Sequence, residues 1–172
     1  MMTKQEARKH VLKKRKELDI KKISNLFVSK IISLDILSKY QNIGIYYPLR
    51  YEINLLELIN HYKDKNFYLP QTREVLEFVK YNINDTLVDG PYNIKEPIGC
   101  GVDIKVMDCI LIPCVAITKD MRRIGYGKGY YDKTFANYTG FKIGICYGEF
   151  TNLDINADEF DLIMDMVIIW LA

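Results

Sequence analysis

The sequence predicts an α/β fold with three layers, α/β/α, in which helices cover both faces of a mostly parallel sheet. Short apolar runs rich in Ile, Val, Phe and Tyr alternate along the chain with segments of helical periodicity. The strongest run, within residues 106–117, is apolar on both faces at 109–112, as expected of a fully buried strand. Such alternation favours parallel strands joined by helical crossovers. The 172 residues, 49% of them apolar, suffice for one domain with a substantial core.

Four helices are predicted, over residues 3–18, 20–33, 55–62 and 130–137. Thr3 and Glu6 form a capping box at the start of the first, where each side chain can satisfy an early backbone donor. The second shows apolar residues at helical spacing. Asn54 is the predicted N-cap of the third helix.

Six strands are predicted, over residues 42–47, 66–70, 75–81, 106–117, 141–147 and 164–169. Pro48 ends the first strand, and the alternating pattern of the third is typical of a strand at a sheet edge. Asp89, Gly90 and Pro91 indicate a turn.

Charge is distributed unevenly. Residues 1–22 hold nine basic and three acidic side chains, a net +6, so the other 150 residues sum to −4 within the overall +2. A basic helix on a mildly acidic body favours an anionic ligand near that helix.

Several classes of protein are excluded or disfavoured by composition. No apolar run reaches the roughly 18 to 20 residues of a membrane helix, and no apolar stretch follows the N-terminal charges as in a secretory signal. The four cysteines include no C-x-x-C pair, and only two histidines are present, so a zinc site is not expected. Reduced, buried thiols and a cytoplasmic location are the simpler interpretation.

The segment most informative about chemistry is residues 122–132, Arg-Arg-Ile-Gly-Tyr-Gly-Lys-Gly-Tyr-Tyr-Asp, placed between a buried strand and a helix. Glycines at alternate positions let the backbone approach an anion, and Arg122, Arg123 and Lys128 add positive charge. The carboxyl ends of strands and the N-terminus of a helix are where an open α/β sheet binds such ligands. The loop therefore predicts a polyphosphate site, with an ordinary tight turn as the alternative. It matches neither the P-loop nor the dinucleotide-binding spacing.

Asp132 lies one turn into the helix that follows this loop, where a lone carboxylate would repel a phosphate ligand. A Mg²⁺ ion that bridges the carboxylate and the phosphates removes this conflict.

These residues, together with others along the whole chain, resemble the 5-formyltetrahydrofolate cyclo-ligase family. The most specific match is Arg-x-Gly-x-Gly-Lys-Gly-Tyr-Tyr-Asp at 123–132, preceded by the strand at 108–113. Supporting matches in the same order and spacing are Lys4 with Arg8, Tyr47-Pro48 with Glu52, Glu96-Pro97, and Asp161 with Asp165.

The resemblance implies a single domain, residues 1–172, with a fold related to the NagB/RpiA/CoA-transferase group. It implies ATP-dependent closure of 5-formyltetrahydrofolate to 5,10-methenyltetrahydrofolate, with release of ADP and phosphate and with Mg²⁺ as cofactor. The expected partners are these small molecules, with no nucleic acid and no membrane, and the expected state is a monomer.

The resemblance also implies roles for particular residues. The expected ATP contacts are Lys4, Arg8, Arg123, Ile124, Gly125, Tyr126, Gly127, Lys128, Gly129, Tyr130 and Tyr131. The expected folate contacts are Tyr47, Glu52, Tyr126, Gly127, Lys128, Gly129 and Tyr130. Asp132 and Asp161 are the expected Mg²⁺ ligands, and Lys128 and Arg123 are expected to neutralise charge in phosphoryl transfer.

Simpler structural roles are open for the same residues. Lys4 and Arg8 share one helical face, which could be a solvated basic face. Glu52 could cap the third helix, Tyr130 and Tyr131 could be core residues, and Asp161 could belong to an acidic surface run. Asp165 is expected to be structural.

Two departures from the family pattern are present. Tyr126 stands where many members have Arg, which puts one phosphate or folate-tail contact in question. Residues 167–170 replace a Thr-Glu pair that often follows the last strand.

Two other functions compete with this interpretation. The basic residues 1–22 could form a nucleic-acid-binding module without catalysis, and the loop could serve an ATP-dependent kinase or ligase of another metabolite.

Overall fold

The structure is a computed structural model that describes residues 2–170. In chain order its helices and strands are α1 (Lys4–Arg15), α2 (Ile20–Ser33), β1 (Asn42–Gly44), α3 (Glu57–His61), β2 (Asn66–Thr72), β3 (Leu76–Tyr81), β4 (Leu87–Asp89), β5 (Lys95–Pro97), β6 (Cys109–Pro113), β7 (Ala116–Ile117), β8 (Arg123–Ile124), α4 (Tyr130–Phe135), β9 (Phe141–Tyr147) and β10 (Met166–Trp170).

Six strands form the central sheet in the order β10-β9-β6-β1-β2-β3. The first five are mutually parallel, and β3 pairs antiparallel with β2 at one edge. In the centre, Ile43 of β1 lies opposite Phe67 of β2 and Cys109 of β6. The mainly parallel α/β sheet predicted from the sequence is confirmed, and so is the edge position of residues 75–81.

The start of α1 follows the predicted capping box. The Thr3 hydroxyl accepts a hydrogen bond from the Glu6 N–H, and the Glu6 carboxylate accepts one from the Thr3 N–H at 2.8 Å. The helix ends at Arg15 rather than Leu18, and its buried face consists of Ala7, Val11 and Arg15. α2 has the predicted bounds and packs against β10 and α3.

The prediction of one strand over residues 106–117 was wrong. Residues 104–106 form a 3-10 turn, the sheet strand covers only Cys109–Pro113, and the chain then pairs with a different partner, β8, in a two-stranded hairpin. The hairpin strand β7 is buried as completely as β6, so the apolar pattern continues although the sheet does not. A second hairpin, β4–β5, was not predicted and encloses the predicted turn at Asp89, Gly90 and Pro91.

Other elements are shorter than expected. β1 ends at Gly44, α4 ends at Phe135, and β10 begins at Met166. α3 begins at Glu57 without a side-chain cap, because the Asn54 side chain accepts from the Leu56 N–H, ahead of the helix.

Candidate active site

The carboxyl ends of three neighbouring parallel strands open into one cavity of about 310 Å³. Tyr46 and Tyr47 follow β1, Pro70 and Thr72 end β2, and Pro113 ends β6. We call this cavity the aromatic pocket; its other walls include Glu52, Tyr92, Arg123, Tyr126, Tyr130 and Tyr131. Its place at the strand ends is where open α/β sheets bind ligands.

A second cavity of about 970 Å³ lies beside α1 and α4. We call it the polar cleft; its charged walls include Lys4, Arg8, Arg122, Asp132, Asp158 and Asp161. Cations from α1 and carboxylates from α4 and the loop before β10 therefore face the same space.

The glycine-rich loop, residues 125–129, is shared by the two cavities. Tyr126 and Lys128 line the aromatic pocket, and Tyr130, the first residue of α4, continues that side. Gly127 and Gly129 line the polar cleft. Side chains at alternate positions face one cavity, and the bare backbone at the glycines between them faces the other.

Glycine is required in this loop for two physical reasons. Gly127 has φ of +90° and Gly129 of +73°, a region that side chains disfavour. At Gly125 an added Cβ would collide with the Arg123 guanidinium, and at Gly127 it would lie 3.1 Å from Cζ of Arg8. The loop is thus packed against two arginines.

Arg8 and Lys4 each have partners in the polar cleft. Arg8 Nε donates to the Gly125 carbonyl at 2.7 Å, which ties α1 to the loop. Lys4 Nζ lies 2.7 Å from Asp158 and 2.5 Å from Asp161. Partial burial lowers the pKa of Lys4, but the hydrogen bonds and charges of the two aspartates outweigh burial and raise it. The two cations are therefore not merely solvated.

Arg123 is buried, with 5% of its surface exposed. Its Nε donates to the Pro113 carbonyl at 2.9 Å, its Nη1 lies 3.9 Å from the Asp132 carboxylate, and its Cζ lies 4.6 Å from the centre of the Tyr131 ring. Ile124 is buried in β8, and neither Ile124 nor Gly125 lines a cavity.

The two carboxylates expected to bind Mg²⁺ both line the polar cleft. Asp132 accepts from the Leu162 N–H at 3.3 Å, and Asp161 accepts from the Asp158 N–H at 2.9 Å as well as pairing with Lys4. Within residues 2–170, no three His, Cys, Asp or Glu side chains are grouped to hold a metal by themselves. One or two carboxylates completed by phosphate oxygens and water are the usual Mg²⁺ site at a nucleotide, and this pair fits that pattern.

Asp165 also lines the polar cleft, and it makes the structural contacts expected of it. Its carboxylate accepts from the Lys142 N–H at 2.7 Å and lies 3.0 Å from Lys142 Nζ, which joins the start of β10 to β9.

Glu52 is buried in the wall of the aromatic pocket, with 5% exposed. Its carboxylate accepts from the Leu49 N–H at 2.8 Å, upstream of it, so the alternative that it caps α3 is wrong. Burial raises the pKa of Glu52, while the Leu49 hydrogen bond and the charges of Arg15 and Arg123 oppose that rise. The pocket thus presents one buried carboxylate among aromatic rings.

Tyr130 and Tyr131 are half-buried and line the aromatic pocket rather than filling the core. Tyr131 stacks on Phe135 with ring centres 6.1 Å apart, and Tyr130 meets Tyr92 edge-on at 6.2 Å. Lys128 Nζ lies 5.4 Å from the centre of the Tyr92 ring.

Among the residues of this region that were missed from the sequence, two are notable. Tyr92 lies in the β4–β5 turn with φ of +61° and lines the aromatic pocket. Its position in a turn did not indicate from the sequence that it would reach this pocket. Arg15 lies fully buried next to Tyr126. A signal for Arg15 existed, since it falls on the α1 face of Lys4 and Arg8 at helical spacing.

The structure is thus an α/β protein with two adjoining cavities that share one loop. The profile of the 5-formyltetrahydrofolate cyclo-ligase family matches residues 1–169. The chain therefore belongs to the 5-formyltetrahydrofolate cyclo-ligase family, a family of ligases of folate metabolism for which ATP is the co-substrate.

Relatives support this over nearly the whole chain. The 5-formyltetrahydrofolate cyclo-ligase of Mycoplasma pneumoniae is 31% identical over 97% of this chain and 98% of its own. The structure of 5,10-methenyltetrahydrofolate synthetase from Aquifex aeolicus superimposes with a TM-score of 0.86 at 29% identity, covering 98% of this chain and 90% of that one. The structure of the synthetase from M. pneumoniae gives 0.77 at 26% identity, with coverage of 97% and 98%. No helix within residues 2–170 combines the length and apolar character needed to cross a membrane.

Proposed function

We propose that the chain cyclises 5-formyltetrahydrofolate to 5,10-methenyltetrahydrofolate at the expense of ATP, in the two cavities that meet at residues 125–129. The observation that carries the proposal is the alternation in this loop, which turns bare backbone to the polar cleft and side chains to the aromatic pocket. A triphosphate suits the first surface and a flat ring system suits the second.

The reaction needs the γ-phosphate and the formyl oxygen to meet. Transfer of the phosphoryl group to the N5-formyl oxygen releases ADP and makes that oxygen a leaving group. N10 of the folate then attacks the formyl carbon and loses its proton, the ring closes, and the bond between carbon and oxygen breaks. Phosphate leaves with the formyl oxygen and takes up that proton. This sequence requires positioning and charge neutralisation but no protein nucleophile.

The polar cleft is proposed to bind ATP through Lys4, Arg8 and the backbone at Gly127 and Gly129. Lys4 now pairs with Asp158 and Asp161, so nucleotide binding would redistribute these charges. Asp132 and Asp161 would hold Mg²⁺, which neutralises phosphate charge when bound.

The aromatic pocket is proposed to bind the folate. Glu52 offers a carboxylate that can accept two parallel hydrogen bonds from the N–H and NH₂ edge of the pterin. Tyr47, Tyr126 and Tyr130 supply aromatic surface around that ring.

Arg123 and Lys128 are proposed to have different parts in phosphoryl transfer. Arg123 is fixed by Pro113, Asp132 and Tyr131, so it holds its charge and the Asp132 carboxylate in place. Lys128 is exposed on the loop and lines the aromatic pocket, and it is the cation proposed to meet the transferred phosphoryl group.

The test is a turnover assay that follows ADP release and the near-ultraviolet absorbance of the product, with and without 5-formyltetrahydrofolate and Mg²⁺. We expect both signals only when all components are present. Lys128→Ala should remove turnover with an unchanged melting temperature, whereas Lys105→Ala, at an exposed lysine outside both cavities, should keep it.

Other outcomes would contradict the proposal. A stable Lys128→Ala protein with normal turnover would overturn the loop assignment. ADP release that depends on a different metabolite would indicate another kinase or ligase. Steeply salt-dependent nucleic-acid binding without ATP turnover would indicate a binding module.

A further inference from the structure

Arg15 is a buried cation that the proposed chemistry does not use. It lies in the last turn of α1 with 2% of its surface exposed, on the helical face that also carries Lys4 and Arg8. Those two cations line the polar cleft, whereas Arg15 lies farther along the helix, behind the aromatic pocket.

The partners of Arg15 are neutral. Its Nη2 donates to the carbonyls of Cys114 at 2.5 Å and Val115 at 3.3 Å, its Nη1 lies 3.5 Å from the Tyr126 hydroxyl, and its Cζ lies 4.9 Å from the centre of the Tyr147 ring. Its Nε and the Tyr147 hydroxyl are buried without a hydrogen-bond partner in the described part of the chain. No carboxylate of residues 2–170 forms an ion pair with it. A buried charge without such a pair is costly, so its retention requires a reason.

Glu52 is a buried acidic group in a situation similar to that of the Arg15 cation. It is equally buried, and within residues 2–170 no cation forms a direct ion pair with it. The Tyr126 hydroxyl lies 3.5 Å from Arg15 Nη1, and Tyr126 lines the aromatic pocket together with Glu52. Hydrogen bonding with Tyr126 opposes the rise in the pKa of Glu52. Burial raises the pKa of Tyr126, which keeps its hydroxyl protonated and able to donate. Tyr126, which is uncharged, therefore lies between the buried cation Arg15 and the buried carboxylate Glu52.

The other titratable and charged groups around Glu52 do not supply the positive charge that Arg15 supplies. The titratable and charged groups that act on Glu52 or are acted on by it are Arg15 from α1, Tyr46 after β1, Cys114 after β6, Arg123 from β8, Tyr126 from the loop, Tyr131 from α4 and Tyr147 from β9. Only Arg15 and Arg123 are cations, and Arg123 also faces Asp132. Arg15 is therefore the positive charge in this group that no other carboxylate offsets.

We propose that Arg15 is a positioning residue of the aromatic pocket, which holds the Tyr126 ring and, through it, the Glu52 carboxylate in the arrangement that recognises the hydrogen-bond donors of the substrate ring. Its use for folate rests on the function proposed above, but the arrangement itself exists without ligand. The side chain acts through Tyr126 and Glu52 and does not line the pocket.

The first test needs no substrate. Carbon-13 NMR of glutamate side-chain carboxyls would follow the titration of Glu52, whose resonance is identified by its loss in Glu52→Gln. Arg15→Met should raise the Glu52 midpoint by about one pH unit or more, because an opposite charge nearby is removed. Arg15→Lys, which keeps the charge, and Lys13→Met, at an exposed lysine of the same helix, should leave the midpoint within about 0.3 unit of the unmodified protein.

The second test is kinetic. Arg15→Met should raise KM for 5-formyltetrahydrofolate about tenfold, the equivalent of one pKa unit, and leave KM for ATP within about twofold. In a Glu52→Gln background the same substitution should have no further effect on the folate KM, since the interaction is already removed. A purely structural role would change both KM values, or would act equally in the two backgrounds.

Each outcome decides the proposal. An unshifted Glu52 midpoint in a folded Arg15→Met protein would overturn it. If that variant does not fold, Arg15→Gln, which is neutral but leaves a donor for the Cys114 and Val115 carbonyls, must show the same shift. If the unmodified protein lacks cyclo-ligase turnover, the proposed function fails while the NMR titration still judges Arg15.

Discussion

The aromatic pocket and the polar cleft share one loop but handle charge in opposite ways. In the aromatic pocket Glu52 and Arg123 are buried and hydrogen-bonded to backbone groups, and only the second of them also has an ion-pair partner, Asp132 at 3.9 Å. In the polar cleft Lys4 pairs directly with Asp158 and Asp161. The pocket is therefore preorganised for a ligand that supplies hydrogen-bond donors, while in the cleft a ligand must exchange partners with side chains that already neutralise each other.

The largest effect on turnover is expected from a substitution in residues 125–129, the loop that the two cavities share. Gly127→Ala places a Cβ at φ of +90° and 3.1 Å from the Arg8 guanidinium carbon, so the loop backbone is strained and the Arg8 side chain must move by a few tenths of an ångström. We expect kcat to fall by about 100-fold or more, since misplacement of about 1 Å is enough for that loss. The strain should cost about 1 to 3 kcal/mol of unfolding free energy, measured by denaturant titration.

A matched substitution separates strain at this loop from a general effect of added methyl groups. Gly101→Ala adds a Cβ 2.9 Å from the Glu77 Cβ, in a loop outside both cavities, so it also forces a local shift but one that leaves the shared loop untouched. It should keep turnover within about twofold of the unmodified protein. An equal loss of turnover in both variants would show that the loop shared by the two cavities has no particular role in turnover.

The next effect concerns the aromatic pocket alone. Glu52→Gln keeps the size of the side chain but removes its charge, so KM for 5-formyltetrahydrofolate should rise about 10- to 100-fold while KM for ATP stays nearly constant. Steady-state kinetics with each substrate varied in turn would measure this. A parallel rise in both KM values would contradict the division of the site into two cavities.

The same variant tests the sign of the burial effect on stability. Burial raises the pKa of Glu52 above its ordinary value of 4.5. The contribution of Glu52 to the free energy of unfolding is therefore fully present below pH 4.5 and is lost as the pH rises through the higher pKa of the folded protein. The Glu52→Gln variant should therefore become more stable relative to the unmodified protein as the pH rises above 4.5. Melting temperatures of both proteins across this pH range would measure the change. A relative loss over that range would show that the partners of Glu52 outweigh its burial.

In the polar cleft a smaller effect is expected. Lys4→Met removes the cation from Asp158 and Asp161, so KM for ATP should rise about three- to tenfold with little change in the folate KM. Unfolding free energy should change by no more than about 1 kcal/mol, because the pair is partly solvated. Lys9→Met, at an exposed position of the same helix, is the control and should leave both KM values unchanged.

The contrast between the two cavities also explains how far the sequence could be interpreted. The α1 cations and the glycine-rich loop were predictable, since helical spacing groups Lys4 with Arg8 and alternation separates glycines from side chains within one short segment. The β7–β8 hairpin was not, because β6 and β7 are equally apolar and burial does not reveal which strand is the partner. Arg15 shares the helical face of Lys4 and Arg8, but its burial could not be predicted because it stands beside exposed lysines in the sequence and is buried only through tertiary packing.

The smallest effect should come from the pair of carboxylates before β10, and it separates the ligand site from the sheet. Both carboxylates line the polar cleft, but Asp161 pairs with Lys4, whereas Asp165 pairs with Lys142 at the start of β10 and is partly exposed. Asp161→Asn should raise the Mg²⁺ concentration needed for half-maximal turnover about three- to tenfold, since it would remove charge from the proposed ligand. Asp165→Asn keeps an acceptor for the Lys142 N–H, so it should leave that Mg²⁺ requirement unchanged and cost less than about 1 kcal/mol of stability. Equal Mg²⁺ requirements in the two variants would place the metal ligands elsewhere in the cleft and leave Asp161 as a partner of Lys4 alone.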